Sequence, residues 1–441
     1  MRAASEFLKR SGGRFAWTAA VFFCAALVPE YVLPVLCIAA YCASLRGAPL
    51  LSESPQKVLL AFLLWAAAGW IYAQARLSAL VILAEWALFF PLLALTRAAV
   101  DDRQKLKALL LCGAGAGGAA GGIGVMQMLL FHTVPSLGKW FNPFWHFLDI
   151  LASKAWFRLL PQPLWHLMPR REFISIQTRA SGTFTNPVFF AAFLCMMLPL
   201  CVHCVLFLRT RYLRVFGIVC LALCAGGIAA SYSRGPYLAL AVCFAVMLFY
   251  GRRYAWKLLC GAAGALLIVA AAASGVFRRL LTVFNGRDLS VRTHADIWRA
   301  CVQMLRGHWL FGYGTGVGGV RQTLQSVYGI AQPHAHNILL EILLENGLIG
   351  LALFLCSLAL FLRGLLRLAR RGGEARRVAV TLLASVAAFA ACGMTDYLFY
   401  GMKPMCYILL LLGLSLCAQR VYAPSERVQA NEVEKELLRK H

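Results

Sequence analysis

The residues best suited to chemistry fall into three short islands of an otherwise apolar chain. In the first, HAHNILLEILLENGLIGL (334–351), two histidines lead into an apolar run. Histidine accepts a proton near neutral pH, so His336, at the mouth of a helix, is a candidate general base. A helix-capping histidine is the simpler alternative. Asn337, Glu341 and Glu345 follow at spacing four and share one helical stripe. Carboxylates in an apolar helix mark a polar interior or a functional pocket. His334 and His336 together suggest a metal, but no third ligand stands near them in the chain, so no metal is expected.

The second island is SYSRGPYLAL (231–240), which places Arg234 in a tight turn between two apolar runs. A guanidinium keeps its charge and presents a planar fork of donors that matches phosphate oxygens, so Arg234 suggests an anion site. Snorkelling, or pairing with an acid such as Glu85, is the alternative. The third island, TRASGTFTNPVFFAAFL (178–194), carries Arg179 just before an apolar run. Between these islands lie Arg278, Arg279, Arg287, Arg292, Arg299, Arg306 and Arg321, opposed only by Asp288 and Asp296. Such a basic stretch suits an anionic substrate.

The elements that position these groups must be membrane helices. The chain has 441 residues, 61% hydrophobic and 14% charged, and long apolar runs recur from end to end. Backbone groups find no water in hydrocarbon, so such runs form helices or closed barrels, and these are too long and continuous for barrel strands. The expectation is an all-α polytopic membrane protein with about 12 transmembrane helices, near 15–28, 31–45, 58–72, 77–96, 106–130, 185–208, 215–232, 236–250, 258–276, 337–362, 378–394 and 404–419. The first apolar run follows Arg2, Lys9, Arg10 and Arg14 and reads as an anchor rather than a cleaved leader. The basic segments RTRYLR, GRRYAWK and RGLLRLARRGGEARR place the N-terminus, the C-terminus and the 420–441 tail on the cytoplasmic side. Much of the +25 net charge is then topological and implies no nucleic acid.

Two long outer loops result, 131–184 and 277–336. The inner loops are too short for a nucleotide-binding domain and no Walker A sequence occurs, which excludes ATP-driven pumps and enzymes using cytosolic nucleotide sugars. The first outer loop holds Trp140, Trp145, Trp156 and Trp165. After Asn142–Pro143 it reads as an amphipathic interfacial helix, either a cover for the bundle or a gate. GAGAGGAAGGIG (113–124) signals close helix packing. GTGVGG (314–319) has no preceding strand and is rejected as a dinucleotide site. Nearly all of the 16 cysteines lie in apolar runs, so no disulfide framework is expected.

In this order, RASGTFTNP, SRG between two spans, SVRTHADIWRACVQML leading to FGYGTGVGG, and HNILLEILLENGLIGL resemble the O-antigen ligase and polymerase superfamily of bacterial membrane glycan-transferring enzymes. The resemblance centres on 178–358, makes the chain a single integral membrane domain over 1–441, and makes 277–336 the large outer catalytic loop. It implies a cytoplasmic (inner) membrane location and a glycan donor carried on undecaprenyl pyrophosphate. It also implies a glycan, lipid or protein acceptor, and metal-independent, inverting transfer at the outer face without a cofactor. His336 would then be the base. Arg234 and Arg292, helped by Arg179, would bind the pyrophosphate. Asn337, Glu341 and Glu345 would orient His336 or the sugar. A secondary transporter or lipid-glycan flippase is the alternative. It is disfavoured because no internal repeat occurs and the polar islands cluster toward one face.

Overall fold

A computed structural model describes residues 2–45, 49–133, 179–250 and 289–423, and the side chains of these segments except 2–11, 132–133 and 289–292. All regular structure among the described residues is helical. The helices are α1 (Arg2–Cys24), α2 (Leu33–Ser44), α3 (Ser54–Gly69), α4 (Arg76–Phe89), α5 (Leu92–Ala99), α6 (Arg103–Thr133) and α7 (Pro187–Phe207). They continue with α8 (Arg211–Ala230), α9 (Gly235–Tyr250), α10 (Leu289–Met304), α11 (Val317–Tyr328), α12 (Ile338–Arg370), α13 (Gly373–Gly393) and α14 (Met402–Val421).

Among the described residues, seven segments are long and apolar enough to cross a membrane, with α4 and α5 joined as one of them. The segment Glu30–Ser44, which holds α2, and the helix α9 are apolar but shorter. The all-helical membrane class therefore holds. The expected count of about 12 is not reached among the described residues, and the expected helix 258–276 lies outside them, as do the Trp-rich stretch 134–178, Arg278, Arg279 and Arg287, and the tail beyond residue 423. Several helices outrun their expected bounds. The hydropathy reading stops at charges, whereas helical hydrogen bonding continues through Arg103, Arg211 and Arg370. Likewise α3 begins early because Glu53 and Gln56 form a reciprocal capping box.

The centre of the bundle is made by α7 and α14, whose side chains are almost wholly enclosed. Around them pack α6, α8 and α13, while α12 leans on α3. The glycine run of α6 does what its pattern suggests. A Cβ at Gly117 would strike Met197 and Cys224, and one at Gly121 would strike the backbone of Leu223. Small residues thus let α6, α7 and α8 approach closely.

The 33-residue α12 is broken at Gly347 (φ 66, ψ −173). A left-handed residue interrupts helical pairing, and the loop before α11 fills the gap. Tyr313 N–H donates to the Leu344 carbonyl at 2.7 Å, and Leu348 N–H donates to the Trp309 carbonyl at 2.8 Å. A side chain at Gly347 would collide with the Leu310 carbonyl, so glycine is required twice over. The GTGVGG stretch has a related structural role. Gly316 (φ 96) caps α11 and lies against the backbone of Ser78 and Ala79 in α4.

Candidate functional site

Three loops converge beside α12: the α8–α9 turn, the segment 332–337, and the α13–α14 connection. The α8–α9 turn is held by its own serines. Ser231 Oγ donates to the Ile228 carbonyl at 2.7 Å and accepts from Ser233 N–H at 3.2 Å. Arg179 braces it from outside, donating from Nε to the Ser231 carbonyl at 2.9 Å and from Nη2 to Ser233 Oγ at 2.7 Å. So two donors of Arg179 already serve the turn that carries Arg234. The next residue, Gly235, is pressed against Thr395, and any side chain there would collide with it. That contact sets Arg234 beside the loop that carries Asp396.

The HAH segment is fixed from several sides. Asn337 caps α12, its Oδ1 accepting from Leu339 and Leu340 N–H at 3.0 and 3.1 Å. Its Nδ2 donates to the Met394 carbonyl at 3.3 Å, tying the cap to the α13–α14 connection. Glu341, one turn into α12, accepts Ala335 N–H at 2.6 Å. Trp298 of α10 donates to the Ala335 carbonyl at 3.0 Å. His336 itself sits at φ 49, a left-handed conformation uncommon for a side chain with a Cβ. Such geometry persists only where the surroundings over-determine it, and here the preceding residue, Ala335, is clamped at both its N–H and its C=O.

The result is a histidine–carboxylate pair. His336 Nδ1 lies 3.1 Å from Asp396 Oδ1, and Nε2 lies 3.2 Å from Gln332 Oε1. Asp396 is buried and also accepts Tyr397 N–H at 2.8 Å. Burial works to raise its pKa, but the hydrogen bond from His336, the charges of both histidines and the Tyr397 amide outweigh it and hold the carboxyl below its usual value. An ionised Asp396 accepts a hydrogen bond from Nδ1–H, which leaves the lone pair of the neutral ring on Nε2. The Gln332 amide can meet Nε2 with its oxygen when the ring is charged or with its NH2 when the ring is neutral. Both protonation states of the ring are thereby accommodated.

His334 is different. Burial pushes its pKa down to about 3, against the opposing charge of Asp396. Its Nδ1 accepts His336 N–H at 3.2 Å and its Nε2 stands 3.8 Å from Asp396 Oδ1. The sequence reading found no third ligand near His334 and His336. Asp396 supplies one, since ligand atoms of all three lie within 4.8 Å of one another. Around them stand the rings of His294, 5.1 Å from His336, and of Tyr400, 5.1 Å from His334.

Of the residues singled out in sequence, His336, Asn337 and Glu341 meet in this cluster, and the turn that carries Arg234 packs through Gly235 against Thr395, next to Asp396 in the chain. Glu345 is buried farther in, near Glu341, Gly316 and the Tyr397 hydroxyl, and the charge of Glu85 also reaches that hydroxyl. Burial, followed by the charges of Glu345, Glu341 and Glu85, pushes the Tyr397 pKa well above its usual value. Arg292 lies on α10 less than two turns before Trp298, and its side chain lies outside the described ones. Asp396 and Gln332 were missed. Asp396 follows an apolar helix as a lone acid, 60 residues after its partner, and only the exception of a carboxylate between two spans could have drawn attention to it.

The family model described as O-antigen ligase matches residues 219–355, from within α8, through Arg234 and His336, into α12. No curated protein matches the chain.

Proposed function

We propose that this member of the O-antigen ligase and polymerase superfamily transfers a glycan from an undecaprenyl pyrophosphate carrier to an acceptor hydroxyl, at the outer face of the cytoplasmic membrane. The observation that carries the proposal is the Asp396–His336 pair, with the Arg234 turn packed beside it. Asp396 holds the Nδ1 proton and sets the ring. Nε2 takes the proton of the acceptor hydroxyl as that oxygen attacks the anomeric carbon. The bond from that carbon to the pyrophosphate breaks, and the electron pair leaves with the phosphate oxygen. Arg234 and Arg292 meet the developing charge, while Arg179 keeps Arg234 in place through Ser231 and Ser233. Attack opposite the leaving group inverts the anomeric configuration.

The test is transfer from lipid-linked glycan in membranes that hold wild-type protein, His336→Ala or Arg234→Ala at equal abundance. Both variants are expected to lose transfer, and full activity of both would overturn the assignment. The glycans that accumulate on gene deletion separate the two activities of the superfamily. Single repeat units left on the carrier mean a polymerase, and long carrier-linked chains mean a ligase.

A further inference from the structure

We propose that His334, His336 and Asp396 form a binding site for a divalent transition cation, zinc in the first place, and that the bound cation silences the base at His336. The binding half stands on geometry alone. The inhibitory half rests on His336 acting as the base.

Two ring nitrogens face one carboxylate oxygen. His336 Nδ1 is 3.1 Å and His334 Nε2 is 3.8 Å from Asp396 Oδ1. In tetrahedral zinc with bonds of about 2.1 Å, ligand atoms stand roughly 3.4 Å apart. Both nitrogen–oxygen distances are therefore near the required spacing before any rearrangement, and all three ligand atoms lie within 4.8 Å of one another. Two imidazoles and one carboxylate suit zinc and its neighbours, whereas magnesium prefers oxygen ligands. Three protein ligands also leave a fourth position for water or a hydroxyl. His334 and Asp396 side chains are only 5% and 6% exposed, which fixes them, while His336 at 21% gives the route in.

The same three residues respond in opposite ways to a proton and to a metal. A proton on His336 Nδ1, directed at Asp396, leaves the lone pair on Nε2. A cation on Nδ1 forces the proton of the neutral ring onto Nε2, which turns it from acceptor to donor. The ring can then no longer accept a proton from an acceptor hydroxyl. His334 shifts its proton in the same way, from Nε2 to Nδ1, at the cost of the 3.2 Å contact from His336 N–H. Neither ring has to change its net charge. The bound state is thus a tautomer lock on the base, reached without moving the helices.

The experiment uses full-length protein in lipid nanodiscs, stripped with a chelator and titrated with zinc chloride, with magnesium chloride as the control. The expected result is one zinc per chain, no magnesium, and weakening by about tenfold or more in both His334→Gln and Asp396→Asn. A melting curve confirms that each variant is folded. Zinc is expected to depress transfer by wild-type protein at least about tenfold, and the chelator to restore it. Absence of stoichiometric zinc, or binding that both substitutions leave intact, overturns the site. Zinc that binds but leaves transfer unchanged, or that is needed to start it, overturns the switch. Stripped protein that transfers nothing, with or without zinc, overturns the functional reading instead, and the titration still decides the site.

Discussion

Two places in this molecule bury charge among apolar side chains, and they are built to opposite ends. At Lys403 the ammonium is wholly enclosed. It donates to the Thr183 carbonyl at 2.7 Å, to Thr183 Oγ1 at 2.9 Å and to the Ala26 carbonyl at 3.4 Å, and it lies over the Phe184 ring at 4.5 Å. Next to it, Met402 N–H donates to Glu30 Oε1 at 2.8 Å. These bonds join the end of α1, the segment before α7 and the start of α14. At His336, by contrast, each ring nitrogen has one partner and an edge of the ring stays exposed. A closed shell of donors and acceptors fixes a fold, whereas an open edge lets a second molecule take part.

The comparison breaks if the two places respond alike to substitution. The largest effect is expected at the open site: His336→Ala should lower transfer on the order of 10³-fold and leave the melting temperature in detergent unchanged. Asp396→Asn keeps the shape but removes the charge that directs the Nδ1 proton. Transfer should fall about 10²-fold at normal abundance, measured as initial rate per mole of protein. Lys403→Met should reverse the pattern. It takes the ammonium donor from the Thr183 carbonyl, while the Ala26 carbonyl keeps the Thr183 hydroxyl, and should cost about 1–3 kcal/mol, read as lower yield and earlier melting, with the rate per folded molecule unchanged. A collapse of rate without loss of stability in that variant would make Lys403 part of the chemistry. The smallest effect separates position from charge at Glu341. Glu341→Gln keeps an acceptor for Ala335 N–H and should stay within about threefold of wild-type transfer, whereas Glu341→Ala frees the HAH segment and should lose about tenfold. Equal losses in the two would mean that the charge of Glu341, and not its bond to Ala335, is what matters.

The parts legible in the sequence were those written in local pattern. Apolar runs announced the helices, spacing-four glycines announced the tight packing of α6, and Asn337 before an apolar run marked a helix start. His336 stood out for the same reason, as a titratable group at a helix mouth. What escaped depends on distance in the chain. Asp396 meets His336 only because α12 and α13 run in opposite directions and return the chain to the same place. Arg179 reads from sequence as a helper in binding the pyrophosphate, and nothing local shows that Ser231 and Ser233 take two of its donors. The break at Gly347 was hidden in an unbroken hydropathy profile, because a glycine in an apolar run reads as packing until its neighbours are known.

That break also has a bearing on how the chain is made. A helix interrupted where water is scarce needs outside partners for its freed carbonyl and amide. Here those partners, Tyr313 and Trp309, come 31 and 39 residues earlier than Leu344 and Leu348. Synthesis from the N-terminus therefore delivers the receiving loop before the helix that depends on it. The last quarter of the chain, from α12 onward, thus meets partners that were synthesised before it.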